Sequence, residues 1–127
     1  DARIARNIPV ASSFYQESDE RTAGSQLNRE YFDALEEMDE FAHRMSGYQK
    51  QITKGNAEYE KLFEEMVNSD EFMRYSIIKD YSNAISELGQ VLKNNGPTEE
   101  EAQEIESVIQ ELKKEMLDEL EKLQAEE

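Results

Sequence analysis

The sequence predicts an all-α protein: an antiparallel helical bundle of three to four helices, with a long coiled-coil-like C-terminal hairpin and an extended N-terminal arm. Three observations predict it. Apolar residues recur at steps of three and four along most of the chain, the repeat that puts side chains on one helix face. No stretch shows the strict alternation of a half-buried strand. Gly and Pro total only seven of 127 residues, so the breaks between helices are few and easily placed. A chain of this length is one domain by default, because two would each be too small to bury a good core. The division is residues 1–24 as the arm and residues 25–127 as the helical bundle domain.

In the arm, Pro9, Ser12-Ser13 and Thr22-Ala23-Gly24 interrupt any helical period, yet Ile4, Ile8, Val10, Phe14 and Tyr15 are apolar. An extended segment that docks its Phe14-Tyr15 pair on the helices accounts for both, and a flexible linker is the equal alternative. From Gln26 to Thr53, Leu27, Tyr31, Leu35, Met38, Ala42, Met45 and Ile52 form a stripe, with Tyr48 filling a skipped turn. Phe32 and Phe41 widen it. Lys54-Gly55-Asn56 breaks the pattern, and residues 56–67 carry Tyr59, Leu62, Phe63, Met66 and Val67 on about three turns. Ser69 or Asp70 then caps a helix over about 70–93, whose stripe is Phe72, Tyr75, Ile78, Tyr81, Ile85, Leu88 and Leu92.

Asn94-Asn95-Gly96-Pro97 ends that helix, since Gly96 tolerates a left-handed conformation and Pro97 cannot continue a helix. So short a link implies a hairpin. The last helix starts at Thr98-Glu99-Glu100-Glu101, where Thr98 and Glu101 have the spacing of a reciprocal capping box. Ala102, Ile105, Ile109, Leu112, Met116, Leu120 and Leu123 form one nearly heptad seam. Glu111 is placed to pair with Lys114, and Asp118 with Lys122. Whether this seam is covered by its own chain or by another stays open at this stage.

The chain carries 30 acidic against 14 basic residues, a net charge of −16. Residues 98–127 hold twelve of the acids and three of the lysines, so over half of the excess sits on the last helix, as its solvated face. Such a balance excludes direct binding along a nucleic-acid backbone, whose affinity comes mainly from Lys and Arg. It is equally unsuited to an anionic membrane surface, and no apolar run approaches the length of a membrane helix. With no Cys there is no disulfide framework, thiolate nucleophile or thiolate metal site. The chain opens at Asp1 with no initiator Met and no signal-like apolar run, so it is expected to be a processed product or a piece of something longer.

Chemistry finds few footholds. Glu40 and His43 have the Glu-x-x-His spacing of di-iron bundles, but such a site needs a second copy, and His43 is the single histidine. A solvated face shared with Asp33, Glu36, Glu37 and Asp39 is the better reading. There is no nucleophile elbow, phosphate loop, dinucleotide fingerprint or calcium loop. The expectation is no enzyme, no cofactor, no metal and no catalytic residue. Tyr31, Tyr48, Tyr59, Tyr75 and Tyr81 are read as seam residues with buried rings and hydroxyls reaching water. The five methionines add adaptable packing.

Ile8-Pro9-Val10, Phe14-Tyr15, Tyr31-Phe32, Tyr48-Gln49-Lys50, Lys54-Gly55-Asn56 and Glu58-Tyr59-Glu60 follow one another before the final hairpin. This succession resembles a helical domain of large phage and mobile-element polyvalent proteins over about residues 4–95. The resemblance implies a structural or docking module from a longer phage-derived chain, and it carries no catalytic residues. The expected function is therefore a non-enzymatic interaction module, with Phe14, Tyr15, Tyr48 and Tyr59 as its candidate interaction surface. Its partners would be another protein, neighbouring domains of a parent chain or a second copy, in the cytoplasm or on a virion. The alternative is an acidic decoy whose carboxylates imitate nucleic-acid phosphates and occupy a basic partner.

Overall fold

Stripes that long need partners, and they find them within the chain. The computed structural model describes the backbone of residues 19–125 and the side chains of residues 25–125. It consists of α1 (Asp19–Thr53), α2 (Glu58–Val67), α3 (Asp70–Asn94) and α4 (Glu99–Ala125), with no strand among the described residues. The fold is all-α. At 1.5 Å per residue, the 35 residues of α1 span about 52 Å and form the spine of the molecule.

The turns follow from local chemistry. Gly55 takes φ 97° and Gly96 takes φ 54°, left-handed values that glycine adopts without a Cβ clash. Around Gly55 the chain reverses through hydrogen bonds from Gly55 N to Ile52 O (2.9 Å) and from Asn56 N to Gln51 O (3.0 Å). Ser69 caps α3: its hydroxyl accepts from the Phe72 amide at 3.2 Å, so Asp70 begins the helix instead of capping it. The capping box of α4 is complete. The Glu101 amide donates to the Thr98 hydroxyl at 3.1 Å, and the Thr98 amide donates to the Glu101 carboxylate at 2.9 Å.

Specific pairs give the directions of the helices. Glu71 and Phe72 at the start of α3 meet Arg44 and Phe41 on α1, while Arg74 and Ser82, further along α3, meet Glu37 and Met38 earlier on α1, so the two run antiparallel. Tyr48 on α1 touches Tyr59 at the start of α2, so α2 also returns along α1. Together α2 and α3 form one broken return path. The α3–α4 hairpin is the most extensive helix pair, and α4 bonds through Lys113 to Asn28 near the start of α1. The last helix is thus covered by its own chain and runs parallel to α1.

Three helices meet around Tyr31, Ala34, Ile78, Ile85, Met116 and Leu120, with Leu35, Met38, Ile77, Tyr81, Ile109, Leu112 and Leu117 packed at the edge. Ile78 and Met116 are completely excluded from solvent. No charged side chain is fully buried among the described residues, so no buried charge offsets the apolar gain.

The structure departs from the sequence reading at three points. First, α1 begins at Asp19, inside the segment read as an arm. One glycine costs a helix only about 1 kcal/mol, so Gly24 does not stop it. Second, Phe32 does not widen the packed face: it is 63% exposed, whereas Phe41 is 3% exposed. The position beneath α4 belongs to Ala34, buried in the same cluster as Leu120. Its small side chain lets the two backbones approach, which a stripe of large residues does not reveal. Third, neither the Glu111–Lys114 nor the Asp118–Lys122 pair forms. Among the described residues the ion pairs are Arg44–Glu71 and Arg74–Glu37. Exposed pairs along one helix stabilise by only about 0.3–0.5 kcal/mol, too little to hold two long side chains.

Candidate interaction surface

Helix α4 has its last fully buried residue at Leu120, which lines one groove with Glu37 and Arg74. Beyond that level α1 continues for more than four turns with only α2 and the start of α3 beside it, and α2 and α4 are not in contact. This end is closed by aromatic rings. Phe41 packs against Phe72 at 6.2 Å and Tyr75 at 5.3 Å between ring centroids. The tilted Tyr48–Tyr59 pair, at 5.6 Å, joins α1 to α2. Both tyrosines remain half-buried, while Leu62 is 42% exposed and Met73 50% exposed. Of the four sequence-predicted surface residues, Tyr48 and Tyr59 are brought together at this tip. Phe14 and Tyr15 lie outside the described residues.

The α1 side of the tip is less acidic than the rest of the molecule. Residues 41–57 contain Arg44, Lys50 and Lys54 and no acidic residue. The Arg44 guanidinium lies 5.1 Å from the centre of the Phe41 ring and reaches across to Glu71, so it ties α1 to the first turn of α3. Arg74 grips Glu37 with two bonds, Nε to Oε2 at 2.7 Å and the second guanidinium nitrogen to Oε1 at 2.9 Å.

At the opposite end the tyrosines behave differently. Tyr31 is buried in the core, and burial pushes its hydroxyl above the usual tyrosine range. Lys113 lies 4.9 Å from the centre of that ring and donates to Asn28 at 2.9 Å, and burial lowers its ammonium below the usual lysine range. Tyr81 donates to the Glu119 carboxylate, which together with lesser burial and the charges of Glu119 and Glu115 pushes it up to about 12.

Glu40 and His43 are both exposed on α1, and among the described residues no group of three or more His, Asp and Glu side chains is placed to hold a metal ion. No helix among them is long and apolar enough to cross a membrane. A feature the spacing alone does not reveal is a groove of about 300 Å³ lined by Glu30, Asp33, Ala34, Glu37, Arg74, Leu117, Leu120, Glu121 and Gln124. It forms where α4 crosses α1 beside Ala34, residues far apart in the sequence.

No family model, curated protein or solved structure matches the chain.

Proposed function

We propose that this chain is a non-enzymatic helical interaction module, a domain of a larger phage- or mobile-element-derived protein that docks other protein surfaces through its aromatic tip. The observation that carries this is the incomplete cover at the tip. There Tyr48 and Tyr59 are half-buried, and Leu62 on α2 and Met73 in the first turn of α3 are exposed. Large apolar side chains held half-open on a fixed scaffold suit the centre of a protein interface, where tyrosine is enriched. The phage-derived origin rests on the resemblance carried by Ile8-Pro9-Val10, Phe14-Tyr15 and Glu58-Tyr59-Glu60.

Light scattering over a concentration series, repeated with the neighbouring domains of the longer parent chain, tests the reading. Association with a second copy or with those domains is expected, and Leu62→Ser should weaken it without loss of helicity. A strict monomer that ignores its parent domains contradicts it.

The exposed acids of α1 and α4 favour a second reading, the acidic decoy. It predicts that the chain captures a basic nuclease or DNA-binding protein and that DNA competes it away. Capture that DNA leaves untouched counts against it.

A further inference from the structure

The groove between α1 and α4 lies on the other side of the tip's boundary and has a chemistry of its own. Its floor is apolar: Ala34 and Leu120 are buried, and Leu117 is half-buried. Its rim is acidic, with Glu30 and Asp33 on α1 and Glu121 on α4. Glu37, the remaining acid, already holds Arg74. Among the described residues, Glu30, Asp33 and Glu121 meet no cation. The lining runs from Glu30 to Glu37 along α1 and from Leu117 to Gln124 along α4, about two turns, or roughly 10 Å, of two parallel helices.

That combination specifies an occupant. Two parallel helices flanking a groove with Leu117 half-exposed at its base offer the seat a further helix takes in a bundle, where side chains at i, i+3 or i+4, and i+7 enter the groove. Three unpaired carboxylates along the rim repel an acidic helix and favour Lys or Arg at the flanking positions. We propose that the α1–α4 groove binds a basic amphipathic helix of a partner protein, with its apolar side chains on Ala34, Leu117 and Leu120 and its cations on Glu30, Asp33 and Glu121. This rests on the interaction-module reading and names a partner class for a second surface of that module.

The probe is a fluorescent leucine/lysine amphipathic peptide of about five helical turns. Saturable single-site binding, weakened by salt, is expected. The triple variant Glu30→Gln, Asp33→Asn, Glu121→Gln should weaken it about tenfold, as befits three partly exposed ion pairs. Gln124→Lys, at the exposed end of the groove, is a gentler second variant and should weaken it in the same direction. A leucine/glutamate peptide should not bind.

Equal affinity for wild type and both variants overturns the proposal. So does equal binding of an oligolysine without leucine, which would make the floor irrelevant. A groove filled by a second copy, revealed by dimers that the triple variant dissociates, also overturns it. Leu62→Ser at the tip touches none of these residues, so loss of the groove proposal leaves the module reading separately testable.

Discussion

The two ends of this molecule solve the same packing problem with different materials. At one end three helices surround Ile78 and Met116, and the side chains that meet there are mainly aliphatic. At the other, α1 is accompanied only by the ten-residue α2 and the first turns of α3, and rings do the covering. A long helix cannot be shielded on all of its apolar face by one short partner. Aromatic side chains compensate because each covers a large area with few rotatable bonds. The difference teaches where rigidity and availability lie: the three-helix end is closed, and the tip leaves Leu62, Met73 and the flanks of two tyrosines in reach of a partner. The groove proposed to receive a basic helix lies where one regime gives way to the other.

Substitutions break this comparison in graded steps. The largest effect belongs to Ile78→Ala, which empties a fully buried position where all three helices meet. Chemical denaturation should show a loss of about 4 kcal/mol, in a transition that remains single. Phe41→Ala removes the ring between Phe72 and Tyr75 and should cost about 3 kcal/mol. It is the smaller loss because the open tip can partly collapse. Near-ultraviolet circular dichroism, which reports ring packing, should lose more signal in this variant than in Ile78→Ala at temperatures where both stay folded.

Ser69→Ala deletes the acceptor for the Phe72 amide at the join of α2 and α3, for about 1 kcal/mol. Gly47→Ala should act in the opposite direction. Gly47 is exposed within α1, a Cβ there meets nothing within 4 Å, and the helix gains about 0.5–1 kcal/mol in thermal unfolding.

The smallest effect is a pH dependence confined to the three-helix end. The folded state holds Tyr81 at about 12, above its ordinary value of 10. The bond to Glu119 therefore contributes fully below pH 10 and is lost as the pH rises towards 12. The Tyr81–Glu119 bond is exposed to solvent although the ring packs at the core's edge, so the contribution stays under about 1 kcal/mol. Tyr81→Phe should lack that alkaline loss, as read from denaturation midpoints across this range.

The same contrast explains which features were legible in the sequence. Capping depends on neighbours in the chain, so Thr98-Glu101, Ser69 and the left-handed Gly96 were all marked by residue type. Long stripes on α3 and α4 are narrow, and the buried residues of these helices, Ile78, Ile85, Met116 and Leu120, all lie on the predicted stripes. On α1 the stripe is broad, with Tyr31, Phe32, Ala34, Leu35, Met38 and Phe41 spread over much of the circumference. Which edge is covered is decided by where α4 crosses, and composition prefers Phe32 to Ala34 while geometry does the reverse. The Tyr48–Tyr59 contact falls between these cases. Both residues are marked as seam tyrosines, but their pairing depends on the reversal at Gly55. The groove was illegible, because it arises from one crossing of two helices far apart in the chain.

The central claim is that the tip is held independently of, and more weakly than, the three-helix end. Native-state hydrogen exchange tests it most directly. The account predicts that amides of α2 and the last turns of α1 exchange through a local opening of low free energy. Amides around Ile78, Ile85 and Met116 would exchange only through global unfolding. Uniform protection from Tyr31 to Leu120, with α2 exchanging at the global free energy, would contradict it.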